Sequence, residues 1–111
     1  MIEKDLIAYL SRKLNVDIRA EKPSVIETPC VILEKTGSSC TDHIFTSTVV
    51  FQSYSDSMLG AAELDELVRE AVDDAIELPS IAGLELVSDF NSTYTEMKLY
   101  RYTCAYSITH Y

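Results

Sequence analysis

Hydrophobic positions at the start of the chain follow a helical period. Apolar residues recur three or four positions apart, at Ile2, Leu6, Ile7, Leu10 and Leu14. This spacing places them on one side of a helix. Acidic residues lie near the start of the segment and basic residues near its end, which complements the helix dipole. The pattern predicts an amphipathic first helix, followed by a short extended piece in "VDIRAEKPS".

Two β-rich segments follow, separated by a polar stretch. The segments "PCVILEK" and "HIFTSTVVFQSY" are rich in the β-branched and aromatic residues that favour strands. Between them lies "TGSSCTD", residues 36–42, which combines turn-forming side chains with Gly37. We therefore predict a β-hairpin in which residues 36–42 form the connecting loop.

The period changes again at Ser55-Asp56-Ser57, where a second helix is predicted. Ser55 or Asp56 is positioned to cap it, because a side-chain oxygen there can accept a hydrogen bond from an otherwise unpaired backbone N–H. Pro79 ends the helical pattern. The predicted apolar side consists of Leu64, Leu67, Val68, Ala71, Val72, Ala75 and Ile76. The opposite side carries Glu63, Asp65, Glu66, Glu70, Asp73, Asp74 and Glu77.

The last part of the chain predicts two more strands, in "GLELVSDF" and "KLYRYTCAYSITHY". The final strand alternates, so one of its faces carries Tyr100, Tyr102, Cys104, Tyr106 and Ile108. Because it runs almost to the last residue, we expect its edge to be available to a second chain. The order α-β-β-β-α-β-β predicts one α+β domain over residues 1–111, with a mainly antiparallel sheet and both helices packed on one face.

Composition and charge narrow the range of functions. Nine basic against eighteen acidic residues give a formal net charge of −9, which argues against free binding to duplex DNA, where basic residues neutralise phosphates. No apolar run approaches the ~20 residues that span a bilayer. The start "MIEKDLIAYL" lacks the basic region of a signal peptide. We therefore predict a protein that folds in a cytoplasm and does not contact a membrane.

Residues suited to catalysis or metal binding are few. Asp42-His43 is the only acid–histidine neighbour pair, and His110 is the only other imidazole. The chain has neither a GxSxG elbow nor a glycine-rich phosphate loop. Its three cysteines lack CxxC spacing, which favours reduced thiols over a disulfide framework or a zinc site. We predict no catalytic residue, cofactor or metal ion; a small hydrolase or ligand-binding domain that uses His43 or tyrosines is the alternative.

Two groups of residues are candidates for contact with partners. The first is the predicted polar loop, with Thr36, Gly37, Ser38, Ser39, Thr41 and Asp42. The second is the acidic side of the second helix, with Glu63, Glu66, Glu70, Asp73, Asp74 and Glu77. Like charges four residues apart destabilise a helix. This side is therefore either a plain solvated face or a surface that faces a basic partner or a channel.

Four segments taken in order carry a resemblance to a known family. They are "MIEKDLIAYLSRKL", "PCVILEKTG", "VVFQSYSDSMLGAAELDELVREAVDDAI" and "LYRYTCAYSI". Together they resemble the tail terminator (tail completion, minor tail protein U-like) family of long-tailed bacteriophages, over essentially the whole chain. The resemblance implies a structural protein of the virion, without enzymatic activity. Such a protein forms a hexameric ring at the head-proximal end of the tail tube, stops tube polymerisation and provides the surface that joins the tail to the head.

The resemblance also implies a set of partners. They are further copies of the chain, the tail tube protein and a head–tail connector or neck protein, with assembly in the cytoplasm of a bacterial host. Genomic DNA would pass through the ring without specific binding, and a hexamer charge of 6 × −9 = −54 would discourage its adhesion. A head-closure or neck adaptor protein of the same connector region is the alternative within this class.

Overall fold

The computed structural model describes residues 2–21, 26–93 and 99–111. The helices are α1 (Ile2–Lys13) and α2 (Met58–Asp74), and a 3-10 turn (Ala75–Glu77) follows α2. The strands are β1 (Asp17–Arg19), β2 (Cys30–Thr41), β3 (Ile44–Ser55), β4 (Ile81–Asn91) and β5 (Tyr100–His110). The α+β class is confirmed, and the order of elements agrees with the prediction.

The five strands that the structure describes belong to one sheet, in the order β1-β2-β3-β5-β4. The pairs β2–β3, β3–β5 and β4–β5 are antiparallel, whereas β1 pairs with β2 in parallel. The sheet is therefore mixed, although mainly antiparallel as predicted. The parallel pairing of β1 with β2 was not predicted, because a strand of three residues has too few side chains to indicate which strand it pairs with or in which direction.

The position of β5 contradicts the prediction of a free edge there. β5 lies between β3 and β4, and both of its edges are paired. Lateral order in a sheet does not follow the order of strands in the chain, and β4 pairs with the side of β5 that was expected to be open. The predicted alternation within β5 is confirmed, with Cys104, Tyr106 and Ile108 buried.

The core lies between the two helices and one face of the sheet. Phe51 of β3 pairs with Leu33 of β2 and with Cys104 of β5, so these three side chains share that face. They belong to a single buried cluster to which both helices contribute, α1 through Ile2, Leu6, Tyr9 and Leu10, and α2 through Leu64, Val68, Ala71 and Val72. Each large apolar side chain buried in this way contributes about 1.5–3 kcal/mol.

The corner between β3 and α2 differs from the prediction in its cap. Ser57 is the N-cap, not Ser55 or Asp56: its backbone is extended (φ −141°, ψ 158°), and its Oγ accepts a hydrogen bond from the Gly60 N–H at 3.0 Å. A Cβ added at Gly60 would lie 2.4 Å from the Ser55 Oγ and 2.9 Å from the Ser57 Oγ. Glycine at this position therefore leaves room for the cap.

The cap gives a direct prediction. Replacing Ser57 with alanine leaves the Gly60 N–H without its acceptor, and we expect this to lower the free energy of unfolding by about 1 kcal/mol. Urea denaturation followed by circular dichroism measures the change. Ser11→Ala, an exposed serine in α1, is the control and should stay within about 0.5 kcal/mol of the original chain. Equal urea midpoints for Ser57→Ala and the original chain would contradict the assignment.

The buried side of α2 also differs from the predicted apolar pattern. Leu67 and Ile76 were expected in the core and are 51% and 50% exposed, whereas Asp65, expected in solvent, is 1% exposed. Asp65 lies four residues after Ala61 and three before Val68, both fully buried. Helix geometry therefore turns Asp65 toward the sheet whatever its side chain.

Candidate functional site

Most of the residues predicted as a polar loop belong to a strand. β2 continues to Thr41, and only Asp42 and His43 form the turn, both with positive φ (52° and 66°). Such a two-residue turn matches the twist of the strands that it connects. The prediction of a loop was wrong because residues 37–41 pair with β3 in register, and this cross-strand pairing overrides their turn-forming composition. All six predicted interface residues are exposed: Thr36, Gly37, Ser38, Ser39, Thr41 and Asp42.

The outer part of β2 has a free edge. β1 pairs only with Cys30–Ile32, so Leu33–Thr41 has no strand partner on that side within the described ranges. Unpaired backbone N–H and C=O groups along an edge can accept another strand. Five of the six residues predicted for a partner interface thus lie on this edge, although as part of a strand.

The opposite side of the sheet ends at β4, which pairs only with β5 in the part of the chain that the structure describes. Every residue from Glu85 to Asn91 is exposed, including Leu86, Val87 and Phe90. The pairing register shifts between Leu86 and Ser88, which marks a bulge at Val87. Large apolar side chains on an open edge are typical of a contact surface.

The two free edges run in opposite directions. Each of the steps β2–β3, β3–β5 and β5–β4 is antiparallel, so β4 is antiparallel to β2. If β4 of one copy lay beside β2 of another, the two strands would form an antiparallel ladder and continue the sheet.

The acidic side of α2 is exposed, as predicted, at Glu63, Glu66, Glu70, Asp73, Asp74 and Glu77. Two of these acids have structural contacts: the Tyr106 hydroxyl donates to Asp73 Oδ1 at 3.0 Å, and the Tyr9 hydroxyl donates to Glu77 Oε1 at 2.9 Å. The other four make no ion pair with any residue that the structure describes. They are therefore the part of this side that is free to meet a partner.

A charged cluster built around the buried Asp65 lies beside this acidic side, and sequence reasoning did not find it. The Arg69 Nε is 3.3 Å from Asp65 Oδ2 on α2 and 3.2 Å from Asp89 Oδ2 on β4. Burial, followed by the adjacent Asp89 carboxylate, raises the pKa of Asp65 to about 7, against the opposing effect of Arg69. Asp65 and Arg69 are four residues apart on one helix, and this spacing could have indicated their ion pair from the sequence. The contact of Arg69 with Asp89 could not be predicted in this way, because β4 approaches α2 only in the folded chain.

The two histidines have different environments. His43 is in the exposed hairpin turn, whereas the Nε2 of His110 lies 2.7 Å from the Oγ of Ser47. The His110 ring stacks on Phe45, and both line a cavity of about 330 Å³ with Glu3 and Lys35. A serine–histidine contact suggests nucleophilic chemistry, but Ser47 is fully buried, so a substrate carbonyl cannot reach its oxygen. The contact joins β3 to β5 near the end of the sheet.

Metal and thiol chemistry has little support in the described ranges. There, no three His, Cys, Asp or Glu side chains are grouped to hold a metal ion. Cys30 and Cys104 are buried and Cys40 is exposed. Burial raises the pKa of the Cys104 thiol, with Asp65 and Asp89 adding to the effect, so this thiol is a poor nucleophile.

Among the helices that the structure describes, none combines the length and apolar character that crossing a membrane requires. Comparison with known proteins found no family model that matches the chain and no curated protein that matches it.

Proposed function

We propose that this protein is a structural ring component of a bacteriophage virion, a tail terminator at the head-proximal end of the tail tube. The observation that carries the proposal is the pair of mutually antiparallel edges on opposite sides of one sheet, which have no further strand partner among the described residues. Two different surfaces that meet head to tail form a heterologous contact, and repeated heterologous contacts close into a ring when the rotation between copies allows it. The likeness of four sequence segments to tail terminators supports the assignment of this ring to a phage tail.

The lengths of the edges suit this association. The free part of β2, Leu33–Thr41, and strand β4, Ile81–Asn91, can align over nine residues, roughly 30 Å at ~3.4 Å per residue. The exposed apolar side chains of β4 would be covered by the next copy. We expect each contact to bury more than ~1,000 Å², the range of specific interfaces.

The position of the two helices indicates which surface of the ring would face the channel. Both helices pack on one face of the sheet, and helices take up more width than strands. A ring closed through its sheet edges would therefore carry the helices on its outer circumference, as in closed α/β barrels. The acidic side of α2 would then face a protein partner, the tail tube or the neck, while the other face of the sheet would line the DNA channel.

Mass and location test the proposal together. Native mass spectrometry of the purified chain is expected to show an assembly near 75 kDa, six times the 12.5 kDa of one copy. Antibody labelling in the electron microscope is expected to mark one end of isolated tails. A strictly monomeric protein that is absent from tails would overturn the proposal. Label on filled heads that lack tails would instead favour a head-closure or neck adaptor protein.

The acidic side of α2 gives a second test. Glu66→Lys combined with Glu70→Lys changes two exposed side chains, so the fold should be unaffected. We expect tail–head joining to slow by about tenfold, because complementary charges steer association. Glu21→Lys with Glu27→Lys changes the net charge equally at exposed positions outside α2 and is the matched control. Equal joining rates for both double variants would show that the acidic side of α2 is only a solvated surface and does not contact a partner.

A further inference from the structure

Arg69 connects the helix layer to the outermost strand through two carboxylates. Its Nε lies between Asp65 Oδ2 on α2, at 3.3 Å, and Asp89 Oδ2 on β4, at 3.2 Å. Asp65 is 1% exposed, and its second oxygen, Oδ1, is buried without a hydrogen-bond partner. One guanidinium therefore serves two carboxyl groups, and one of these groups is enclosed and incompletely satisfied.

The same contact holds the exposed half of β4. Asp89 lies in the exposed stretch Glu85–Asn91, two residues after the bulge at Val87. Within the described ranges the Arg69–Asp89 pair is the only salt bridge that β4 makes. Near the end of the strand, the Asn91 amide reaches the Met58 sulfur at 3.1 Å, and a thioether is a weak acceptor. The charged contact is thus the main polar link between this part of β4 and α2.

The surroundings of Asp65 raise its pKa toward neutral pH. β5 contributes Cys104 and Tyr106, whose pKa values burial raises, so both remain neutral. α2 contributes Arg69 and Asp73, and Asp73 accepts from the Tyr106 hydroxyl. β4 contributes Asp89. The pKa of Asp65 is raised to about 7 by burial and by Asp89, so this carboxyl changes charge between pH 6 and pH 8.

We propose that Asp65, Arg69 and Asp89 form a protonation-dependent latch that holds β4 against α2. While Asp65 is neutral, the guanidinium is committed to the Asp89 carboxylate. Once Asp65 ionises, two carboxylates compete for one cation, and the buried charge is relieved most easily by admitting water. β4 gives way before α2, because α2 is held by the core, whereas β4 pairs with β5 alone among the strands that the structure describes.

The latch has a consequence for assembly that rests on the proposed ring. The β4 edge must be ordered before it can pair with β2 of another copy. Alkaline conditions would therefore weaken edge pairing and acidic conditions would favour it. In this way the latch would regulate the surface through which the copies join.

Hydrogen exchange of the isolated chain, kept dilute so that it does not associate, tests the latch. Protection factors for residues 85–91, corrected for the intrinsic rate at each pH, should fall by about tenfold from pH 6 to pH 8. Residues 49–54 of the central strand β3 serve as the internal reference and should change little. In Asp65→Asn, which has no ionisable group at this position, the fall should disappear.

A second variant keeps the test decisive if Asp65→Asn folds poorly. Asp89→Asn removes the competing carboxylate, and the pH dependence of β4 protection should shrink. Equal protection of residues 85–91 at both pH values in the original chain, or the same fall in both variants, would overturn the latch. The measurement does not depend on a ring: a latch without any assembly would defeat only the proposed function, and a ring whose β4 protection ignores pH would defeat only the latch.

Discussion

Replacing Asp65 with asparagine is expected to raise the free energy of unfolding by about 4 kcal/mol at pH 8 and by much less at pH 4. Asp65 is enclosed between α2 and the sheet, with one oxygen unpartnered. An asparagine of nearly the same shape can still accept from Arg69 and can donate to Asp89. The substitution therefore removes a buried charge without leaving a cavity.

The direction of the effect follows from proton binding. The pKa of Asp65 is raised to about 7 in the folded chain, against about 3.9 in an unfolded one. Between these values the folded chain binds more protons than the unfolded chain, so stability falls by about 1.4 kcal/mol per pH unit. The proton on Asp65 stabilises the folded chain fully below the pKa that this carboxyl has in the unfolded chain. This stabilisation is lost as the pH rises through the folded pKa of about 7. The variant lacks this loss, so its advantage is largest at alkaline pH.

Urea denaturation of both chains at several pH values between 4 and 8 measures the difference. Glu66→Gln, which neutralises an exposed acid on the same helix, is the control and should stay within about 0.5 kcal/mol of the original chain throughout. If the stability curves of Asp65→Asn and the original chain ran parallel from pH 4 to pH 8, Asp65 would not be the titrating group.

A lysine in place of Val87 is expected to leave the fold intact and to convert the proposed ring into single copies of 12.5 kDa. Val87 lies at the bulge of β4 and is 61% exposed, so its side chain contributes little to the core. Lysine on an edge strand opposes further pairing, because the ammonium would have to be buried against the incoming strand. Ser39→Lys on the free edge of β2 should have the same effect from the other side.

Mixing these two variants separates a head-to-tail ring from other assemblies. Val87→Lys retains an intact β2 edge and Ser39→Lys retains an intact β4 edge, so one productive contact remains between them. Native mass spectrometry of the mixture should show a pair near 25 kDa, twice 12.5 kDa, and nothing larger. Ala8→Lys, on the exposed side of α1, is the control and should assemble as the original chain does. Full-size assemblies from either edge variant alone would show that the sheet edges do not join the copies.

Predictions about single elements were more accurate than predictions about how the elements pair with one another. Strong periodicity predicted α1, α2 and the alternation of β5, because it reflects which side of one element is apolar. The N-cap of α2 is Ser57 and not Ser55 or Asp56, and most of the predicted loop at residues 36–42 is strand in the structure. Both differences have the same origin: serine, threonine and aspartate favour caps, turns and exposed strands, so composition alone does not distinguish these.

The sequence by itself determined the α+β class, the order of the elements and the acidic exposed side of α2, since each depends on a repeating pattern within one segment. Only the tertiary structure decided which strands are edges, because lateral order depends on pairing between segments distant in the chain. The same holds for the Asp65–Arg69–Asp89 cluster. The sequence predicts that Asp65 is exposed, but its position on α2 turns it toward the sheet, where β4 lies beside the cluster. Packing between elements, which no single segment encodes, sets both the surfaces proposed for assembly and the latch proposed to control them.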